Sequence, residues 1–260
     1  MQRIYKKHFK NFFLIILMLS IFLNNHQIMC AEEVKKPCCA AADSEISVNC
    51  IFSVGQTCRS AYHILKHGKR FQASPLDWMR DYSLDTCLHL FKTKFSDFFE
   101  KIEEKPPWPG SPCKSVNDAK NNILSIHHFS KEKTIKEDQP RVSELMKKRA
   151  DKVDKILKKS DAVALVYHQD SMPSESENKK MIEFITGFGD IYPNKKIYFI
   201  NIASSDIKDF KKEVIFEKDN LKIIRFTFWD AGPDWTGNHD AWAKVINYIK
   251  LVKNSDKTKN

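Results

Sequence analysis

The chain has 260 residues, 42% hydrophobic and 29% charged, with 43 Lys and Arg against 33 Asp and Glu for a formal charge of +10. A chain of this length and apolar content buries a core that stands without disulfides or metal, which excludes the small stapled scaffolds and the disordered class. The positive excess is interleaved with Asp between Lys147 and Lys159, so it reads as a solvated helix face and not as a nucleic-acid stripe.

Arg3, Lys6, Lys7 and Lys10 precede an apolar run, Phe12 to Leu23, that is too short to cross about 30 Å of hydrocarbon comfortably. Residues 1–31 are therefore expected to be a signal peptide cut near Cys30 or Ala31, giving an exported protein with no membrane contact apart from that segment. Lipid attachment at Cys30 has little support, because the residues before it are not small. Removing the segment takes away four cations and no carboxylate. A flexible leader is expected over 32–45, one α/β domain over 46–252 and a disordered tail over 253–260.

Six cysteines then remain: Cys38, Cys39, Cys50, Cys58, Cys87 and Cys113. An even number in an exported chain permits disulfides, which would compete with a free catalytic thiol. No Cys-x-x-Cys pair occurs, so neither a metal nor a cofactor is expected.

In chain order, Ile46 to Val54 reads as a strand, Gly55 permits a tight exit, and Thr57 is placed to cap a helix from Cys58 to Lys66 that ends at Gly68. A helix from Ser83 to about Phe99 carries Leu84, Leu88, Phe91, Phe95 and Phe98 on one side, with Cys87 as a packed core thiol. The proline-rich stretch 106–112 forces a loop. A strand over 123–126 ends at His127-His128, and a helix starts near Pro140. Ala162 to Tyr167 reads as a buried strand ending at His168. Ser174 and Glu177 form a capping box for the next helix. Lys196 to Ile202 is a strand, 213–217 and 221–228 form an antiparallel edge hairpin around Asp219-Asn220, and a last helix begins near Asn238.

Val-, Ile- and Phe-rich strands separated by helices indicate a three-layer α/β fold: an open, mainly parallel sheet with helices on both faces. Ligands of such sheets bind beyond the carboxyl ends of the strands. There the pattern gathers Cys58, His127, His128, His168, Asp170, Asp230, Asp234 and His239. A thiol in a first helical turn also meets unpaired N–H groups and the positive dipole end, which favours its thiolate.

Ser53-Val54-Gly55-Gln56-Thr57-Cys58, Ala61-Tyr62-His63-Ile64-Leu65, Gly68-Lys69-Arg70 and Ser74-Pro75-Leu76-Asp77-Trp78 together resemble the opening motif of a bacterial domain family described as papain-like cysteine peptidases. Leu76 replaces the family's aromatic. Phe95-Ser96-Asp97-Phe98-Phe99 is similar to its Phe-x-x-Phe ending, and His127-His128-Phe129 to its His-Asp-Phe, with His128 where an acid is usual. The resemblance spans about residues 47–250 and implies a thiol nucleophile at Cys58.

Such a hydrolase needs a base, an orienting group and oxyanion donors besides the thiol. His127 is the expected base and Asp77 the orienting acid. Backbone N–H groups at the Cys58 helix start serve as oxyanion donors, with the Gln56 amide beside them. Strand alternation lets only one of His127 and His128 reach the sulfur. His128, His168, Asp230 and Trp235 are candidates for holding substrate, a peptide or other acyl compound; the oligomeric state is left open. The loop 229–240, with Trp229, Asp230, Asp234, Trp235 and His239, supports a rival reading as a non-catalytic domain that binds a glycan or polar small molecule. The same acids and histidine match no strong metal motif. A transferase with a nucleotide-linked donor ranks last, since no Gly-rich phosphate loop is present.

Overall fold

A computed structural model describes residues 46–232 and 234–253. The expected signal segment with Cys30, the leader with Cys38 and Cys39, and the tail from residue 254 lie outside the described residues.

The central sheet has five strands in the order β2 (Cys50–Ser53), β7 (Ala162–Gln169), β8 (Lys196–Ser204), β10 (Leu221–Phe228) and β9 (Lys211–Lys218). All neighbours are parallel except the β9–β10 edge hairpin. The expected first strand is broken at Asn49 into β1 (Ile46–Val48) and β2, and β1 pairs instead with β11 (Ile249–Leu251) at the end of the chain.

Alternation along the strands separates two apolar faces. Val163, Leu165 and Tyr167 pack toward α2 (Leu84–Lys92), α3 (Ile135–Lys159) and α4 (Glu175–Ile191). Ala164 and Val166 face the other way, onto the cluster that includes Ile64 of α1 (Arg59–Lys66) and Trp242 of α5 (His239–Asn247). Every residue of β7 is buried, as a central strand covered on both faces requires. Trp242 alone, with no exposed surface, contributes burial worth on the order of 3 kcal/mol.

Three further features depart from expectation. α2 stops at Lys92 because Lys94 and Phe95 take positive φ, with the Phe95 amide donating to Leu90 O at 2.8 Å in a left-handed helix closure. Phe95 and Phe98 still bury their rings, so the apolar periodicity outlasts the helix. α3 begins at Ile135, ahead of Pro140, because Thr134 and Glu137 form a capping box. The third difference is a second sheet, antiparallel and four-stranded: β3 (Met79–Arg80), β6 (Ile123–Phe129), β5 (Lys114–Asp118) and β4 (Ile102–Lys105).

This second sheet changes where the histidines stand. His127 and His128 lie inside β6, not at the end of a parallel strand. Cys58, His168 and Asp230 do follow or end β2, β7 and β10, so the expected rim exists; His127 approaches it from the other sheet. No described helix is long and apolar enough to cross a membrane.

Candidate functional site

After β2, the Val54 amide donates to Val166 O at 2.9 Å and keeps the chain against β7. A Cβ on Gly55 would sit 3.0 Å from the backbone N of His168 and 3.3 Å from Ser60 Oγ, so close approach demands glycine here. Cys58 is the N-cap of α1, one residue later than the expected cap, while Thr57 Oγ1 accepts from the Arg59 amide at 3.4 Å. The sulfur thus stands at the mouth of the first turn.

The Ser74-Pro75-Leu76-Asp77-Trp78 segment is a self-bonded turn. Asp77 Oδ2 accepts from the Ser74 amide at 3.0 Å and the Met79 amide donates to Leu76 O at 3.2 Å. Trp78 leaves it at φ 68°, a left-handed conformation that costs a bulky residue about 1–3 kcal/mol. Its indole meets the His127 ring edge-on, centroids 5.6 Å apart. The Asp81 amide donates to Gln56 O at 3.2 Å and ties this turn to the cysteine loop.

β6 then brings up an imidazole. His127 Nε2 lies 3.9 Å from Cys58 Sγ. Its neighbour turns inward as alternation requires: buried His128 accepts at Nε2 from Arg149 Nη1 (3.3 Å) and bonds through Nδ1 to Ser125 Oγ (2.9 Å). Burial, then the Arg149 charge, pushes His128 down to about 3. The side chain contacts Arg149 and Ser125 instead of the pocket, which corrects its expected substrate contact.

Asp77 also differs from expectation. Its carboxylate forms an ion pair with Arg70 at 2.9 Å and accepts from the Ser74 amide; among the described residues it makes no hydrogen bond to His127. The physical reason is the turn itself, which wraps around its own acid. Trp78 stands against His127 in the place foreseen for that acid. Replacing Asp77 by Asn is expected to lower stability by about 2 kcal/mol, because Arg70 loses its carboxylate, and to leave His127-dependent chemistry in the remaining folded protein unchanged. Urea unfolding beside an activity titration of folded protein checks this; a drop in activity at full stability would restore the orienting role.

Cys58 is 6% exposed. Burial pushes its thiol up to about 11, with the nearby Arg80 charge working the other way. The expected thiolate-favouring effect of the helix start is therefore outweighed, and the resting sulfur carries its proton. His127 is held below its ordinary value by burial and then by Arg80. At neutral pH the pair is thiol and neutral imidazole, not an ion pair.

Cys58 and His127 line a pocket of about 500 Å³ with Thr57, Arg59, Arg80, Trp108, Asp170 and Trp235 among its walls. Gln56 is exposed and is not among the lining residues; its carbonyl, not its amide, is engaged. Trp235 is 53% exposed and Trp108 38%. Arg80 and Trp108 were missed by sequence reasoning. The guanidinium of Arg80 lies 4.1 Å from the Trp108 ring centroid.

Beneath the pocket, His168 and Asp230 come together as the strand-end rule suggests. His168 Nε2 donates to Asp230 Oδ2 at 3.0 Å, while Thr57 Oγ1 donates to Nδ1 at 3.2 Å. Arg59 Nη1 reaches the same carboxylate at 2.7 Å, and Asp230 Oδ1 takes the Asn238 amide (2.8 Å) and Trp242 Nε1 (3.0 Å). Burial alone would raise the Asp230 carboxyl; these donors and the Arg59 charge hold it below the ordinary range. The pair is buried and serves as a brace under the pocket floor. Trp235 is held over the pocket by Arg59 Nε, which donates to its carbonyl at 2.8 Å.

Cys50, Cys58, Cys87 and Cys113 are free thiols, and Cys87 is the buried core residue its helix face implied. Among the described residues no group of three or more His, Cys, Asp or Glu is arranged to hold a metal ion.

An α/β protein with a cysteine at a strand-to-helix turn and a histidine from a second sheet facing it has the parts of a thiol hydrolase. Over residues 49–187 the chain matches the family model described as "Putative papain-like cysteine peptidase (DUF1796)", more than half of its length, and it belongs to that family. The match is shorter than the resemblance read from the motifs. It includes Cys58, Asp77, His127 and His168 and stops before Asp230 and Trp235. No curated protein and no solved structure matches the chain.

Proposed function

We propose that this protein is an exported cysteine hydrolase, cleaving peptide or other acyl bonds, with Cys58 as nucleophile and His127 as general base. The observation that carries the reading is the 3.9 Å approach of Cys58 Sγ to His127 Nε2 at the wall of an open pocket. As the sulfur bonds to the substrate carbonyl carbon, its proton passes to Nε2; collapse of the tetrahedral species expels the leaving group, which takes that proton back. Water then attacks the thioester with His127 again accepting a proton, which releases the acid and restores the thiol. Trp78 fixes the imidazole by packing, the part an acid plays in other such sites. Export rests on the basic and apolar N-terminal segment.

The pH dependence separates this mechanism from a preformed thiolate. Direct alkylation by iodoacetamide needs thiolate, and with the thiol near 11 its rate should climb about tenfold per pH unit through the neutral range. Acyl transfer to Cys58 from p-nitrophenyl acetate needs only neutral His127, whose value lies below the ordinary one, so it should rise at acidic pH and be flat from about pH 7 to 9. Acyl transfer that climbs tenfold per unit over that range would remove His127 as base.

The exposed rings of Trp108 and Trp235 on the same pocket favour the rival reading, a binding domain for a glycan or polar small molecule. It differs in one outcome: binding would survive Cys58→Ala and weaken with Trp235→Ala.

A further inference from the structure

Resting on Cys58 as nucleophile, we propose that Arg80 anchors a substrate carboxylate, so that the pocket takes anionic acyl compounds or peptides whose negative charge lies close to the carbonyl under attack. The charged groups of the pocket wall sort themselves by what already occupies them. Arg59 is tied down and neutralised: Nε donates to Trp235 O and Nη1 to the buried Asp230 carboxylate. Asp170 lies 3.5 Å from the same guanidinium and is mostly in solvent.

Arg80 is different. Its Nε is buried without a hydrogen-bond partner, and neither Nη has one among the described residues. Its nearest carboxylate, that of Asp81, is 58% exposed and stands 3.9 Å from Nε, beyond hydrogen-bond reach. The guanidinium carbon sits over the Trp108 ring, 4.1 Å from its centroid, and this cation–π contact restrains the group before any ligand arrives. The two Nη groups of a planar guanidinium match a carboxylate in two parallel hydrogen bonds. Pairing β3 with Leu124 and Ser125 of β6 sets this cation on the same sheet as His127, and its charge is felt at both His127 and Cys58.

The test compares two alkylating agents that differ in charge, iodoacetate and iodoacetamide, at about pH 9, with Cys58 modification followed by peptide mass spectrometry and N-acetylcysteinamide as the free-thiol reference. The iodoacetate-to-iodoacetamide rate ratio at Cys58 should exceed that of the reference by about tenfold or more. Arg80→Gln should return it to the reference value, and Arg80→Lys, which keeps charge but loses the fork, should lie between. Circular dichroism confirms that each variant is folded. Using a ratio cancels any change in thiolate fraction, so the two failures are told apart: loss of acyl transfer at Cys58 sinks the hydrolase reading on which the acyl substrate class rests, whereas the ratio alone judges the anion preference of Arg80. A wild-type ratio equal to the reference, or one unchanged in Arg80→Gln, overturns the proposal. Should neither reagent reach Cys58, succinate is titrated into the Cys58→Ala protein with tryptophan fluorescence as readout. Saturable binding weakened about tenfold or more by Arg80→Gln supports the site; absence of saturable binding overturns it.

Discussion

Replacing Asp230 by Ala is expected to lower the unfolding free energy by about 3–5 kcal/mol, a large share of the margin of an ordinary domain. The carboxylate side chain has no exposed surface and meets four donors: His168, Arg59, Trp242 Nε1 and the Asn238 amide. Removing it leaves the Arg59 cation partly buried without its closest acid and Trp242 Nε1 unsatisfied, which costs more than the pair itself contributes. Urea unfolding followed by tryptophan fluorescence reads the loss. A change below about 1 kcal/mol would mean that the pocket floor does not depend on this brace. A Cβ at Gly237 would collide with the same carboxylate, so the loop that carries Trp235 is shaped around it.

The other large effect concerns the reacting pair. Cys58→Ala should abolish acyl transfer, since no other group at the site is placed to form the thioester, and His127→Ala should slow it by about 10²–10⁴-fold, the usual contribution of a positioned base. Both variants should fold. Cys58 gives up one buried sulfur, and His127 stands at the wall of an open pocket, where truncation leaves no closed cavity and its indole neighbour is held by the turn before it. Turnover of an activated ester measures both. Equal rates in wild type and His127→Ala would leave Cys58 without a base.

The sequence made some parts of this arrangement legible and hid others for physical reasons. The parallel sheet announced itself because β7 and β8 are apolar runs that tolerate burial on both faces, and Gly55 marked the turn because a side chain there would strike β7. Ser174 and Glu177 gave the start of α4 by their capping box. The same chemistry at Thr134 and Glu137 also marks α3, yet Pro140 drew attention as a first-turn residue while standing inside the helix.

The second sheet was invisible because its strands carry little apolar pattern. β4 reads Ile-Glu-Glu-Lys with one face and most of the other in solvent, and β3 is two residues long. Without that sheet, His127 looks like a strand terminus, and Arg80 is one basic residue among many. Asp77 misled for a related reason. A motif fixes which residues recur at a turn, whereas the choice between a brace for Arg70 and a partner for His127 is made by chain segments far apart in sequence. Trp78 was legible as important, but its left-handed backbone, which aims the indole at His127, leaves no trace in composition.

The central claim, that Cys58 attacks a carbonyl with His127 taking its proton, is tested most directly by mixing the protein with excess p-nitrophenyl acetate and quenching in acid for intact-mass and peptide analysis. The account predicts a burst of p-nitrophenolate equal to the protein concentration, an acetyl thioester on Cys58, none in Cys58→Ala, and formation slowed at least about a hundredfold in His127→Ala. Acetylation that spares Cys58, or that proceeds at the same rate without His127, would contradict it.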